Sequence, residues 1–464
     1  MQEKVFEHLS SVFYPERVAV IGATDSPDRV GFNVFQSILE GGFTGRVYPV
    51  HPRHESILGQ PVYKSIGEVP GPVDLAVICL NQHATVQAVE SCGRLGVKGV
   101  LCHAGGYREM GDEGRELEMR LIATAQKYAM VLVGPNSLGL INNEGNFYST
   151  FYPLQIPKGS VSLISQSGGM GLTIIHKALD EGMGINKFIG VGNCSTVGFA
   201  DYLEYLGEDS GTSVIAVFME GTADARRFAL AAEKVAAKKP VVLLKAGRSP
   251  VSDYFTVTHT GSAAGSYRLY RDIFSQFGVY MADSAHDLVA ACKGLSLLAP
   301  ARSNRIGILT HTAGPSIVMA DQLSEKGCVI PPLQESTISR VKEIIGEDPP
   351  VVLKNPLDAA GLGFARETFG WLAGAMLEDP GIDLLVAVYC LHKNWGLPSR
   401  EIIEAQRQYG KPVVACYASH WEGCRDDRNI LQNAGIPLYT TPEDACAAVA
   451  ALVHHSKRGG RIRP

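Results

Sequence analysis

RVAVIGATDSPDRVG, residues 17–31, decides the fold. RVAVI is a short run of apolar and β-branched residues, the signature of a strand buried on both faces. Gly22 then permits a tight turn, and FNVFQSILEGG continues with helical spacing. A strand that meets a glycine turn and then a helix is the opening unit of a parallel α/β sheet. The same device recurs at SVSLISQSGGMGLTIIHKALDEG (160–182) and at IGILTHTAGPSIVMADQLSEKG (306–327).

Strand-like runs follow each opening. In the first block they are RVYPVHP (46–52), VDLAVICL (73–80), KGVLCHAGG (98–106) and MVLVGPNSLGLIN (130–142), with helical segments at 83–96 and 113–129. NNEGNFYSTFYPLQIPKGS reads as a linker. The second block adds KFIGVGN, TSVIAVFMEG and KPVVLLKAGR and closes with the helical DSAHDLVAACKGLSLLA (283–299); the third adds IDLLVAVYCL (382–391), KPVVACYAS (411–419) and a closing helix, EDACAAVAALVHHSK. The expectation is an α/β chain of three domains, at 1–150, 151–300 and 301–464. The first is Rossmann-like, with its ligand at the strand C-termini.

Composition narrows the function class. The chain has 464 residues, of which 45% are hydrophobic and 19% charged, and its net charge is −5. No basic run marks a nucleic-acid interface, and KRGGRIRP at the end is a short solvated tail. The ten cysteines are scattered without a CxxC, so they read as buried free thiols, not as disulfides or metal ligands. No signal-peptide core and no membrane-length apolar run is seen, so a soluble cytoplasmic protein is expected.

Several polar loops at strand ends carry the chemistry. In the first turn, Gly22, Ala23, Thr24, Asp25 and Ser26 precede the helix. The N–H groups of Thr24 to Ser26, with Arg29, suit a pyrophosphate at the helix N-terminus. The turn lacks GxGxxG spacing, and the second strand ends in HPR and not in an acid, which disfavours NAD. Arg53 there suits a ribose phosphate and favours coenzyme A. A nucleotide-free flavodoxin-like turn is the alternative.

Ser165, Gln166, Ser167, Gly168 and Gly169 form a second anion site at a helix start, where free N–H groups attract phosphate. Ordinary capping by serine is the plainer reading. In TVTHTGSAAGS (256–266), His259 lies among hydroxyls and glycines, a setting in which imidazole serves as a phosphoryl acceptor. Glu220, at a strand end in VFMEG, is placed to fix an imidazole tautomer. A polar loop histidine and a solvated loop acid are the alternatives for these two. His311, in THT, competes with His259.

In the order and spacing of these motifs, from Phe13 to about Val453, the chain resembles the α subunits of NDP-forming (ADP-forming) acyl-CoA synthetases, relatives of succinyl-CoA synthetase. The carriers include RVAVIGA, VYPV, VDLAVI, GPNSLGLIN, SQSGGMG, VGN, VFMEG, KPVVLLKAGRS, HTGS, AGP and NP-x-D. The resemblance implies a Rossmann-like CoA-binding domain, to which Asn136 of GPN also contributes, followed by two flavodoxin-like succinyl-CoA-synthetase-type domains. It implies phosphorylation of His259, steadied by Glu220, with SQSGG cradling the phosphate. It implies an acid–CoA ligase that interconverts acyl-CoA, ADP and phosphate with acid, CoA and ATP through acyl phosphate. The three blocks leave no room for an ATP-grasp domain, so ATP or ADP with Mg²⁺ is expected on a separate β subunit, in an α₂β₂ assembly. No metal ligand is expected on this chain. His51 in PVHP, the HAGGY loop (103–107) and CSTVGFA after VGN depart from the family's usual residues. A carbamoyl or acyl transferase subunit and a non-catalytic CoA sensor are the competing functions.

Overall fold

A computed structural model describes residues 2–249, 251–252, 266–299, 301–349, 351–390, 396–418 and 420–459. They form two compact units, Met1–Met281 and Ala282–Pro464.

The first unit opens with α1 (Gln2–Phe13), β1 (Arg17–Ile21), α2 (Val30–Glu40), β2 (Arg46–Val50) and the small hairpin β3 (Ser56–Ile57) and β4 (Gln60–Pro61). Then come β5 (Leu75–Ile78), α3 (Gln82–Arg94), β6 (Gly99–Cys102), α4 (Asp112–Lys127) and β7 (Val131–Val133). Five strands make a parallel sheet in the order β2-β1-β5-β6-β7. The chain reverses direction across the sheet at β1, so a crevice opens beyond the C-terminal ends of β1 and β5. Val18, Val20, Leu75, Val77 and Leu101 are fully buried because helices cover both faces.

A second sheet follows in the same unit. Its elements are β8 (Leu140–Asn142), β9 (Phe147–Tyr148), β10 (Val161–Ser165), α5 (Gly168–Asp180), β11 (Ile185–Gly190), α6 (Phe199–Glu208), β12 (Val214–Met219), α7 (Ala225–Ala236), β13 (Val241–Lys245), α8 (Tyr267–Gln276) and β14 (Tyr280–Met281). The order is β14-β13-β12-β10-β11-β8-β9, parallel from β14 to β11, with β8 and β9 added antiparallel.

The run 130–142 is therefore not one strand. Pro135 withholds an amide from any ladder, and Asn136 and Gly139 take positive φ of 59° and 121°. The chain turns there, ends the first sheet at β7 and enters the second as β8. The segment read as a linker also contributes a strand, β9, and buries Ser149 and Thr150 completely.

The two sheets share one apolar core, which α1 joins: Phe13 stacks on Tyr205 at 5.0 Å and 7°. Lys187 of β11 is buried beneath this junction and reaches Asp209 at 2.8 Å and Glu144 at 3.0 Å.

The second unit contains α9 (Ala285–Leu297), β15 (Ile306–Thr310), α10 (Ala313–Glu325), α11 (Glu335–Ile345), β16 (Leu357–Asp358), α12 (Arg366–Glu378), β17 (Leu384–Cys390), α13 (Ser399–Tyr409), β18 (Val413–Ala418), α14 (Arg425–Asn433), β19 (Leu438–Tyr439) and α15 (Pro442–Gly459). Its sheet is parallel, in the order β16-β15-β17-β18-β19. Helix α9 packs on α15, where a Cβ on Gly294 would lie 2.9 Å from that of Ala448. All ten cysteines are free thiols, seven of them buried. No described helix is long and apolar enough to cross a membrane.

Candidate functional site

The first cluster surrounds the Gly22 turn. Gly22 has φ +89°, and a Cβ there would lie 2.6 Å from the Cys79 carbonyl oxygen. Gly31 fits equally tightly: its Cβ would fall 2.0 Å from the Gly22 oxygen. These two glycines press the start of α2 onto the turn. Ala23 is fully buried, and Thr24 Oγ1 accepts the Ser26 N–H at 3.3 Å. Arg29 is the extended residue before α2, and no side chain caps that helix. Its side chain is about three-quarters exposed.

Beside this turn, His51 Nδ1 accepts the N–H groups of Arg53 and His54, at 3.2 and 3.3 Å. Burial, then the neighbouring His54, lowers the affinity of the His51 ring for a proton. His54 lies 3.7 Å from Asp25, while Arg53 is exposed. The uncapped N–H groups of α2, with Arg29 and Arg53, suit a phosphate-bearing ligand.

A second group of loops stands at the ends of β6 and β7. Asn136 donates its N–H to the Ala104 carbonyl at 2.8 Å, and its Oδ1 would be 3.3 Å from a Cβ on Gly105. Glu109 accepts the Gly106 and Tyr107 N–H groups at 2.7 and 3.1 Å and the Asn193 side-chain amide at 3.0 Å. Burial opposes its ionisation, but these donors hold the carboxyl below its usual range. Asn193 also donates to Glu118 at 3.0 Å. Thus HAGGY is tied to VGN through Glu109. Neither Glu109 nor Glu118 stood out in the sequence, where Glu118 is one acid in the helical stretch 113–129 and Glu109 follows the HAGGY loop.

The third cluster lies at the ends of β10, β12 and β13. Ser167 caps α5 and accepts the Met170 N–H at 3.3 Å, while Ser165 donates to the Ser167 carbonyl at 2.7 Å. The cap takes one of the first amides, and helix geometry leaves those of Gly168 and Gly169 without an acceptor in the helix. Gln166 is buried and turns inward, where its Oε1 accepts the N–H groups of Glu220 and Gly221. Glu220 is only 9% exposed. Lys245, fully buried, donates to the Glu220 carbonyl at 2.8 Å and lies 5.0 Å from the centre of the Tyr270 ring. The fold thus brings Gln166, Glu220 and Lys245 together, and Lys245 is a member that sequence reading missed. An apolar strand ending in lysine was the available signal.

His259 lies outside the described residues. His311 is placed in the second unit, where its Nε2 accepts the Cys390 N–H at 2.9 Å. Its ring packs 4.5 Å from Phe364 and 4.4 Å from Tyr389, and burial lowers its proton affinity. Among the described residues no cluster of three or more His, Cys, Asp or Glu is placed to hold a metal ion.

Known proteins give a context for this geometry. Residues 16–143 match the family model of a CoA binding domain, and residues 158–295 match that of a succinyl-CoA ligase like flavodoxin domain. The chain is 37% identical over 459 residues to the α subunit of acetate–CoA ligase [ADP-forming] II of Pyrococcus furiosus, covering 97% of this chain and 99% of that one. It is 34% identical to acetate–CoA ligase [ADP-forming] I of Archaeoglobus fulgidus, where 98% of this chain aligns with 65% of the relative. The dinucleotide forming acetyl-coenzyme A synthetase 1 of Candidatus Korarchaeum cryptofilum, solved in complex with phosphate and ADP, superposes with a TM-score of 0.90 at 30% identity, covering 98% of each chain.

Proposed function

The chain belongs to the ADP-forming acetate–CoA ligase family as an α-subunit relative, and from that premise we propose that it works by a phosphohistidine relay through His259. Phosphate attacks the thioester carbonyl of acyl-CoA, the C–S bond breaks, and acyl phosphate and CoA form. A ring nitrogen of His259 then attacks phosphorus, and the carboxylate leaves. The phosphoryl group passes from His259 to ADP, giving ATP and regenerating the imidazole. Each step is reversible, and the covalent intermediate divides one difficult transfer into two easier ones.

The observation that carries this reading is the juxtaposition of Gln166 and Glu220 at the start of α5. Glu220 is the carboxylate that steadies the His259 ring and sets its tautomer. The free amides of Gly168 and Gly169, with Ser165, Gln166 and Ser167 around them, face the charge on the transferring phosphoryl. CoA binds along the first sheet. Gly22, Ala23, Thr24, Asp25 and Ser26 approach its pyrophosphate, Arg29 and Arg53 meet phosphate charge, and Asn136 closes the site.

The Archaeoglobus fulgidus relative extends well beyond the region aligned with this chain. Two Pyrococcus furiosus relatives are named as α subunits, which supports a partner subunit for this chain. We assign the partner an ATP-grasp fold, ADP and Mg²⁺, in an α₂β₂ assembly.

The test is labelled phosphate offered to the chain with a panel of acyl-CoAs, with and without the partner, beside His259→Asn. Acid-labile label that requires an acyl-CoA and vanishes in the variant is the expected result. Label that persists in the variant refutes His259 as the acceptor.

A further inference from the structure

The second unit carries a groove that the reaction above does not use. It opens between α11, α12 and α13 and has a volume of about 560 Å³. Two glycines set its floor. A Cβ on Gly370 would lie 2.5 Å from that of Glu401, and one on Gly374 would lie 3.2 Å from the Tyr409 ring. Helices α12 and α13 therefore meet closely, and Trp371 stands at the opening. Its 61% exposure is the highest of any aromatic side chain among the described residues.

The walls are acidic. Glu343 is paired with Arg340 at 2.6 Å. Glu367, Glu401 and Glu404 also line the groove and form no ion pair among the described residues. Oε2 of Glu401 is buried and accepts no hydrogen bond among those residues. A buried carboxylate oxygen without a donor costs free energy that an incoming cation would recover. An exposed indole in a concave site is the arrangement found at the centre of protein interfaces.

We propose that this groove docks a partner protein through an arginine side chain. The guanidinium lies on the face of Trp371, and the carboxylates of Glu401 and Glu404 accept its N–H groups. Arginine fits better than lysine because its planar fork stacks on indole and bonds carboxylates two at a time. Charge complementarity selects a basic segment, and the cleft between three helices gives it a fixed seat. The inference is independent of the phosphohistidine reading.

The experiment titrates the whole chain with a tetra-arginine peptide at low ionic strength, using calorimetry and tryptophan fluorescence. Tetra-lysine and tetra-glutamate peptides serve as comparisons. Trp371→Ala and Glu404→Gln are first shown to unfold at the wild-type temperature. The expected result is one-to-one binding of tetra-arginine, weakened at least tenfold (roughly 1.4 kcal/mol) by either variant, with tetra-lysine weaker and tetra-glutamate silent. No binding of tetra-arginine, or equal binding by wild type and both variants, overturns the proposal. Concentration-dependent self-association that Trp371→Ala abolishes also overturns it, because the occupant is then a second copy of this chain.

Discussion

The side-chain oxygen of Gln166 accepts the backbone N–H groups of both Glu220 and Gly221, at 2.8 and 3.0 Å. One amide from the turn before α5 thereby fixes the backbone that carries the candidate carboxylate. Gln166→Ala leaves two buried donors without a partner, a loss of roughly 1–3 kcal/mol for each. The variant should melt earlier and incorporate phosphate more slowly, while its affinity for CoA stays within about twofold. Wild-type melting and phosphorylation in Gln166→Ala would show that the contact does neither job.

Gly31 allows no side chain. A Cβ there would sit 2.0 Å from the Gly22 carbonyl oxygen, so Gly31→Ala must push α2 away from the turn. Overpacking of this kind costs on the order of 1–3 kcal/mol or more. Gly67 is the control, because its Cβ would meet nothing closer than Ser65 Oγ at 3.7 Å. Calorimetry should find CoA binding lost or strongly weakened in Gly31→Ala and retained in Gly67→Ala. Equal affinities would detach the turn from CoA.

Lys187 is buried with its ammonium between Asp209 and Glu144. Removing one partner of a buried pair leaves an uncompensated charge, which costs roughly 3–5 kcal/mol. Lys187→Ala should therefore unfold at markedly lower denaturant than wild type. The replacement Lys187→Met, with Asp209→Asn, should recover part of the loss. A midpoint unchanged in Lys187→Ala would mean that the Asn186 and Thr212 side chains, which already donate to Asp209, suffice to hold its charge.

Acid sensitivity should trace in part to His103. Its Nδ1 lies 3.0 Å from the Ser137 carbonyl oxygen. Burial pushes its ring down to about 4 from an ordinary 6.5, against the opposing pull of the Ser137 and Ser149 carbonyls. Above pH 6.5 the ring is neutral in both folded and unfolded chains, so it imposes no penalty. As pH falls toward 4, only the unfolded chain takes up the proton, and stability drops by up to roughly 3 kcal/mol. His103→Gln should flatten the loss of stability between pH 6.5 and 4. Identical slopes in denaturant titrations of the two proteins would refute this assignment.

The strands were legible wherever both faces are buried. β5, β12, β17 and β18 are apolar along their whole length, while β1, β10 and β15 are apolar runs that include Arg17, Ser162, Ser165 and Thr310. The run 130–142 was misread because its apolar residues continue across the turn at Pro135 to Gly139. Only pairing with β11 reveals the second strand. Candidate site residues on glycine turns stood out because those turns must approach a ligand or a neighbouring chain. Glu109, Asn193 and Lys245 are different. Their importance comes from partners distant in sequence: Asn193 stands in the VGN motif and Lys245 ends an apolar strand, but neither setting names the partner. Gln166 falls between: its motif was plain, but its inward turn to Glu220 depends on β10 and β12 being neighbours.

The antiparallel pair β8 and β9 has a consequence for anyone cutting or recombining this protein. It sits in the chain directly after the first sheet yet completes the edge of the second. A chimera spliced near residue 150 would replace those two strands along with the CoA-type domain and leave β11 facing a foreign edge. A splice between Val133 and Leu140 keeps each sheet with its own strands, and that short stretch is the seam along which the two halves of the first unit can be exchanged.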